Sequence, residues 1–167
     1  MYELQAILDR VMNGELPSTD ESMVLADVQN AALLLPAAAA LRDRGFNNVV
    51  TFSKKVFIPL THLCRDVCHY CTFAQAPKKV IAPYLTIEQV LETTRHAASL
   101  GCKEALFTLG EKPELRYKTA RDALATMGYE STVDYLHDVA QAVFDETGLL
   151  PHLNPGTLSL AELERLR

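Results

Sequence analysis

The chain has 167 residues, a formal net charge of −5 at pH 7 and 49% hydrophobic residues. This length and apolar fraction suffice for a single buried core, and the acidic balance with no concentrated basic surface argues against a nucleic-acid partner. The longest apolar run, residues 31–41, is shorter than the about 20 residues of a membrane span. We therefore expect a cytoplasmic protein that binds neither nucleic acids nor membranes.

Residues 1–46 predict an N-terminal helical segment. The sequence has the pattern of three helices, with breaks at Asn13-Gly14 and at Pro17-Ser18-Thr19. The third helix contains the apolar run, so we expect it to be buried. It should be kinked at Pro36 and end near Gly45, because proline interrupts a helix and glycine commonly terminates one.

Residues 47–167 predict alternating strands and helices. Short apolar segments have the length of buried strands, and segments with helical periodicity lie between them. The strands are predicted at 56–60, 105–109 and 149–153, and the helices at 86–100, 119–127 and 131–147. Thr86 and Ser159 each begin a helix with a capping box. This alternation implies parallel βαβ units, whose strands have their carboxyl ends on one face.

Three cysteines, Cys64, Cys68 and Cys71, follow the first predicted strand within eight residues. On a helix the outer two would stand roughly 10 Å apart, so we expect a loop wrapped around its ligand. Three thiolates with no obvious fourth suit a [4Fe–4S] cluster, which normally takes four, with one iron left open. An open iron beside S-adenosylmethionine is the arrangement that reductive radical chemistry needs.

Other interpretations of the cysteines remain open at this point. They could be unrelated core residues, since free cysteine is often buried. They could form a structural zinc site with His62 or His69 as the fourth ligand. A disulfide framework is less favoured, because no signal peptide precedes them. The remaining cysteine, Cys102, begins an apolar strand and is interpreted as a core residue.

The segment around the cysteines, from Lys55 to Phe73, resembles the radical S-adenosylmethionine enzymes that make FO, the deazaflavin chromophore of coenzyme F420. Two further stretches carry the resemblance, GCKEALFTLGEKPE at 101–114 and GLLPHLNPG at 148–156. A three-cysteine signature alone would indicate only the broad superfamily. The three stretches in this order are specific to the FO synthase branch, of the subunit 1 type that also occurs as the N-terminal half of a fused enzyme.

The resemblance implies an α/β fold, a radical S-adenosylmethionine partial (β/α)6 barrel of roughly twice this length, preceded by N-terminal helices. Residues 47–167 would be its first half, about three β/α units. We therefore expect the chain to lack the second half and to be inactive alone. The partners implied are a small-molecule substrate, an electron donor, and possibly the subunit 2 enzyme or a fused second half.

The resemblance also implies a reaction. A reduced cluster would cleave S-adenosylmethionine to methionine and a 5′-deoxyadenosyl radical. That radical would take hydrogen from 5-amino-5-(4-hydroxybenzyl)-6-(D-ribitylimino)uracil and leave as 5′-deoxyadenosine. Cyclisation with loss of ammonia would give FO. The alternatives are the paralogous subunit 2 type, which joins tyrosine to a diaminouracil, and a non-catalytic zinc module.

Residue roles follow from the same resemblance. The three cysteines would ligate three irons, and Tyr70 would lie against the adenine, or would instead pack beneath the loop. Gly110 and Glu111 match the strand-end motif in which a carboxylate receives the methionine ammonium; a small residue permits close approach and an anion stabilises the cation.

Weaker candidates lie at the third strand and in the cysteine loop. His152 and Asn154 are candidate catalytic residues that would line the substrate pocket, His152 as a proton relay, unless strand alternation turns one of them into the barrel wall. Arg65, Asp66 and His69 would either bind substrate or fix the loop by hydrogen bonds.

Overall fold

A computed structural model of the chain describes residues 4–167. The chain forms two compact units that divide between Phe52 and Ser53. Within the described residues, no helix has both the length and the apolar character needed to cross a membrane.

The N-terminal unit is helical. It contains α1 (Leu4–Met12), α2 (Thr19–Ala26), a 3₁₀ turn (Ala31–Leu33) and α3 (Leu35–Phe46). Both predicted breaks are confirmed, because Gly14 has a φ of +94° just after α1 and Ser18 caps α2 through a capping box with Glu21. The Glu21 carboxylate also pairs with Arg10, which ties α2 to α1.

The predictions for α3 are wrong in two respects. Pro36 does not kink the helix, because α3 begins at Leu35 and places the proline in its first turn, where the missing N–H would have no helical partner. The Asn30 side chain caps the preceding 3₁₀ turn and so determines where the helix can start. No residue of α3 is buried, and Leu35 is 63% exposed. The helix is rich in alanine, so it offers little large apolar surface to bury.

The C-terminal unit is a parallel sheet with helices between its strands. The strands are β1 (Lys55–Pro59), β2 (Glu104–Thr108) and β3 (Leu150–Asn154), paired in the order β1-β2-β3. The helices are α4 (Ile87–Ser99), α5 (Lys118–Met127), α6 (Thr132–Thr147) and α7 (Leu160–Leu166), with a 3₁₀ turn at Pro113–Leu115. The predicted parallel βαβ organisation is therefore confirmed.

The helix ends follow from local sequence. Thr86 and Ser159 each form the predicted capping box with the Gln or Glu three residues later. Gly101 follows the end of α4 and Gly148 that of α6, both with positive φ values, of +79° and +67°. A left-handed backbone suits glycine because it has no Cβ to clash with the preceding turn.

The two faces of the sheet differ. Ile58, Ala105 and Phe107 point to the helix side, where they are buried against α4 and α6. The residues between them on each strand point the other way and stay partly or fully exposed; Phe57 is an example. This alternation is fixed by the period of two along a strand, and within residues 53–167 the helices α4 and α6 cover only one face of the sheet.

A buried polar network joins the loop after β1 to α6. The Glu114 carboxylate accepts hydrogen bonds from the Thr132 N–H at 3.2 Å and from the Thr132 hydroxyl at 2.6 Å. The Tyr84 hydroxyl donates to Thr132 Oγ1 at 2.7 Å, and the Tyr135 hydroxyl donates to the Leu85 carbonyl at 2.6 Å. Burial raises the pKa of Tyr84 and raises that of Tyr135 to about 12, so both hydroxyls remain protonated donors at neutral pH.

Substituting Thr132→Val should destabilise the protein by about 1–3 kcal/mol, because it removes the hydroxyl that donates to Glu114 Oε2 and accepts from Tyr84, and leaves only the backbone N–H bond to Glu114. Urea unfolding followed by circular dichroism measures the loss. Thr126→Val is the matched control, since the Thr126 hydroxyl bonds the Asp122 carbonyl on an exposed helix face. It should change stability by less than about 0.5 kcal/mol. Equal effects of the two substitutions would contradict the role of the network.

Candidate active site

The segment between β1 and α4 that carries the cysteines has no regular helix or strand, as predicted. It is ordered by backbone hydrogen bonds. The Gln75 N–H donates to the His62 carbonyl at 2.8 Å, and the Leu85 N–H donates to the Leu60 carbonyl at 2.9 Å. The His62 ring stacks on Phe73 at 4.4 Å between centroids, and its Nδ1 lies 3.1 Å from the Phe73 carbonyl.

All three cysteines of the loop line one cavity of about 220 Å³, together with Arg116 and Tyr117. Cys68 and Cys71 are exposed and Cys64 is partly buried, and every cysteine is a free thiol. The interpretation of the three as unrelated core residues is therefore wrong. Across residues 4–167, no three His, Cys, Asp or Glu side chains lie close enough together to hold a metal ion. The cysteines share a cavity without converging on one point.

The surroundings of Cys64 suit a cluster ligand. Its Sγ accepts the backbone N–H of Asp66 at 3.4 Å and that of Glu111 at 3.3 Å. Backbone donors aimed at sulfur stabilise a thiolate and tune the potential of a bound cluster. These donors at Cys64, and the cavity that the three cysteines share, are compatible with thiolate ligands of an iron–sulfur cluster.

Gly110 brings the end of β2 against the cysteine loop. Its N–H donates to the Thr61 carbonyl at 3.0 Å. A Cβ at this position would lie 1.8 Å from the Leu63 carbonyl oxygen and 2.8 Å from the Cys64 Cβ. No side chain fits in that space, so the close approach of the two loops requires glycine.

The Glu111 carboxylate is the point at which the loops after all three strands meet. Arg65, in the cysteine loop, makes two contacts with Glu111. Its guanidinium pairs with the Glu111 carboxylate, and its backbone N–H donates to the Glu111 backbone carbonyl at 2.9 Å. The loop after β3 approaches the same carboxylate at Gly156 and Thr157. Gly156 has a φ of +85°, and a Cβ there would lie 2.6 Å from Glu111 Oε2.

The charge of Glu111 is stabilised although its side chain is only 13% exposed. Burial alone would raise the pKa of the carboxyl. The approach of the Thr157 backbone and the pairing with Arg65 outweigh that effect, so the pKa is lowered and the group is ionised at neutral pH. A charged, nearly buried carboxylate at the strand ends is suited to receive a cation.

Tyr70 extends into solvent from the cysteine loop. Its side chain is 90% exposed, so the alternative in which the ring packs beneath the loop is wrong. The ring is accessible to a ligand, and its proposed contact with adenine stays a prediction.

His152 belongs to a different cluster from the cysteines. Its Nδ1 lies 3.2 Å from Glu104 Oε2 and 3.2 Å from Lys55 Nζ, on the sheet face opposite α4 and α6. Lys55 above all, with the Ser53 hydroxyl and His152, lowers the pKa of Glu104 to about 2. Lys55 and Glu104 are the first residues of β1 and β2. The imidazole is thus held toward the amino ends of the strands, whereas Asn154 is exposed at the carboxyl end of β3.

The structure therefore brings Cys64, Gly110 and Glu111 together and keeps His152 apart from them. The sequence did not predict that Gly156 and Thr157 approach the Glu111 carboxylate, and it left two roles open for Arg65. Two sequence signals do point to the contact between Glu111 and the loop after β3. The Pro-Gly pair after β3 is typical of a turn, and all three strand-end loops were expected on one face.

Substituting Gly156→Ala should displace the Glu111 side chain and break its contacts with Arg65 and Thr157. Gly128→Ala is the matched control, because Gly128 has a φ of +86° but no atom within 4 Å of a Cβ. Both variants bear the same backbone strain, roughly 1–2 kcal/mol. The Gly156 variant should lose about 1–3 kcal/mol more, the cost of leaving buried polar groups unpaired. Equal losses in urea unfolding would show that Glu111 tolerates the displacement.

Comparison with known proteins gives close relatives over nearly the whole chain. The chain is 46% identical over 180 residues to the FO synthase of Mycobacterium leprae, covering 98% of the chain and 21% of that protein. It is 48% identical over 119 residues to the 7,8-didemethyl-8-hydroxy-5-deazariboflavin synthase of Methanopyrus kandleri, covering 71% of the chain and 36% of that protein. The chain thus spans about a fifth to a third of the length of these curated relatives. No protein-family model matches the chain.

Solved structures with a similar fold agree with the predicted fold class. Methylornithine synthase superposes with a TM-score of 0.67 at 22% identity, covering 96% of this chain and 43% of that one. The FeFe-hydrogenase maturase HydG from Carboxydothermus hydrogenoformans gives a TM-score of 0.69 at 21% identity, with coverages of 98% and 35%. Both similarities, together with the parallel sheet and its helices, confirm the predicted α/β fold class. Over nearly its whole length, the chain is therefore homologous to a segment of the FO synthases.

Proposed function

We propose that the chain forms the cluster- and cofactor-binding part of a radical S-adenosylmethionine lyase of the FO synthase type. The lyase converts 5-amino-5-(4-hydroxybenzyl)-6-(D-ribitylimino)uracil to FO with release of ammonia. The observation that carries the proposal is the junction of Cys64, Gly110 and Glu111, where a cysteine loop and a buried carboxylate are joined by backbone contacts. The names of the FO synthase relatives support the proposed product, FO.

The three cysteines of the loop would hold a [4Fe–4S] cluster, with one iron open to the amino and carboxylate groups of S-adenosylmethionine. The cluster would supply the electron that cleaves this cofactor. The chain contributes three thiols around one cavity, and backbone N–H groups that favour the thiolate form of Cys64.

Glu111 would bind the methionine ammonium of the cofactor. Support comes from its ionised state, its low exposure and its position one residue after the glycine that contacts the cysteine loop. Water is largely excluded from the carboxylate, so a charge-assisted hydrogen bond to it is stronger than one in bulk solvent. The exposed ring of Tyr70 would cover the adenine.

His152 and Asn154 would act on the substrate from the open face of the sheet. Glu104 and Lys55 orient the His152 ring by contacts to its Nδ1, which leaves Nε2 as the atom that would exchange a proton with substrate. Asn154, exposed at the carboxyl end of β3, would donate or accept a hydrogen bond nearer the cluster.

The remaining partners are also proposals. An electron donor would reduce the cluster, and further β/α units, in the same chain or in another, would complete the walls of the pocket. The cytoplasm is the proposed location, since the four cysteines are free thiols and a reducing compartment keeps them so.

Anaerobic reconstitution with iron and sulfide should give a brown protein with about four irons per chain. Cys64→Ala, Cys68→Ala and Cys71→Ala should each abolish cluster assembly, because three ligands are the minimum for this loop. Cys102→Ala is the control and should leave the iron content unchanged, since Cys102 packs against the core of the sheet. Iron analysis and the visible spectrum report the outcome. Stoichiometric zinc without iron uptake would instead support the zinc module.

FO formation tests the reaction itself. When this chain replaces the matching segment of the Mycobacterium leprae FO synthase, the chimera should form fluorescent FO from the uracil substrate, S-adenosylmethionine and a reductant. The same chimera with Cys68→Ala should form none. A chimera that assembles its cluster and cleaves S-adenosylmethionine but makes no FO would show that the proposed substrate is wrong.

A further inference from the structure

The middle of the open sheet face, opposite α4 and α6, combines an apolar floor with one polar end. The strand register places Phe57, Leu106 and His152 side by side across β1, β2 and β3. Phe57 is 51% exposed, and Leu106 is only partly buried. A single row of side chains therefore runs from an aromatic ring through an aliphatic side chain to an imidazole.

The cysteine loop holds the aromatic end of this row in place. The Phe57 ring meets Phe73 edge to face, with 6.3 Å between centroids and 88° between planes, and Phe73 in turn lies 4.4 Å from the His62 ring. Edge-to-face contacts are a preferred geometry for aromatic pairs. Phe57 is thus fixed by a neighbouring ring while half of its own surface stays open, which makes it a preorganised contact for another ring.

A charged cluster holds the other end of the row. His152 Nδ1 lies 3.2 Å from Glu104 Oε2 and from Lys55 Nζ, and Lys55 and Ser53 also bond the Glu104 carboxylate. An ionised carboxylate beside Nδ1 favours the tautomer that carries its proton there, and Nε2 is then an acceptor. Within residues 4–167, no group hydrogen-bonds to Nε2.

We propose that this row binds the 4-hydroxyphenyl ring of the substrate, with the ring above Leu106 and against Phe57, and with its hydroxyl bonded to His152 Nε2. The inference rests on the proposed function, in which the substrate carries a 4-hydroxybenzyl group. It assigns a binding site to that group and adds Phe57 and Leu106 as residues that determine specificity.

The spacing and polarity of the row fit such a ring. Adjacent strands lie about 4.8 Å apart, so the backbones that carry Phe57 and His152 are roughly 10 Å apart, with Leu106 midway. An aromatic ring above Leu106 can therefore contact the side chains at both ends. Its apolar surface leaves water for Phe57 and Leu106, and its hydroxyl supplies the donor that Nε2 lacks.

The same arrangement discriminates against a ring without the hydroxyl. Further β/α units of the proposed enzyme would enclose the open face and exclude water from it. An unsubstituted benzyl ring would then leave His152 Nε2 buried without a partner, which costs free energy. A site built around a substrate hydroxyl rejects the analogue that lacks it for this reason.

The test uses the chimera with the Mycobacterium leprae FO synthase and two ligands, the 4-hydroxybenzyl uracil and its benzyl analogue, which lacks only the hydroxyl. Calorimetric titration without reductant, so that no turnover occurs, gives the ratio of their dissociation constants. Sites elsewhere in the chimera bind equally in every variant. A change in the ratio or in both constants therefore reports on the residue that was varied.

The unmodified chimera should bind the hydroxylated compound about tenfold or more tightly than the analogue, the scale of one hydrogen bond in an enclosed site. His152→Leu should remove most of this preference, and His152→Gln should keep part of it through its amide. Phe57→Ala should weaken both compounds alike, by about tenfold. Phe144→Ala is the matched control and should change neither, because Phe144 is 46% exposed on α6, at the opposite face of the sheet.

Three results would overturn the inference: no preference in the unmodified chimera, a preference that His152→Leu leaves intact, or equal effects of Phe57→Ala and Phe144→Ala. If His152→Leu fails to fold, the Phe57 and Phe144 pair decides. Failure of the proposed function gives a different result, since the unmodified chimera would then form no FO.

Discussion

The close approach of the β2 end to the cysteine loop is the constraint on which the strand-end face depends. A carbonyl oxygen of the loop occupies the space where any other residue at Gly110 would carry its Cβ. Because the next residue is Glu111, this approach also determines where the carboxylate lies, and it brings the Glu111 N–H to the sulfur of Cys64. The proposed ligand-binding groups of two loops, Cys64 and Glu111, are thus positioned by backbone packing, which is more rigid than side-chain contacts alone.

The polar network at Glu114 has the corresponding effect at the far end of the cysteine loop. Tyr84 and Leu85 are bonded to Thr132 and Tyr135, at the start of α6. The loop is therefore fixed at its beginning by contacts to β2 and at its end by contacts to α6, while the cysteines lie between. Such a loop loses less entropy when it closes on a ligand, because much of its backbone is already ordered.

Much of the fold could be predicted from sequence because its signals are local. The capping boxes at Thr86 and Ser159 need only four residues each, and the strands stand out as short apolar runs. Pro36 was misjudged because its effect depends on where the helix starts, which the Asn30 cap decides. In the site, the spacing of the cysteines predicted their loop. The Arg65–Glu111 pair could not be predicted, because it joins residues 46 positions apart and depends on how the loops after β1 and β2 pack against each other.

Exposure of Cys68 and Cys71 has a chemical consequence. The Cys71 N–H bonds the Cys68 carbonyl at 3.2 Å, so the two free thiols lie on one tight turn open to solvent. Whatever lets iron reach these thiols also lets oxygen and peroxide reach them. A disulfide between them would remove two of the three proposed cluster ligands at once, and a thiol reductant would restore them, whereas overoxidation to sulfinic acid would not be reversed. The redox history of the protein, rather than its conformational stability, then determines whether the loop can be loaded.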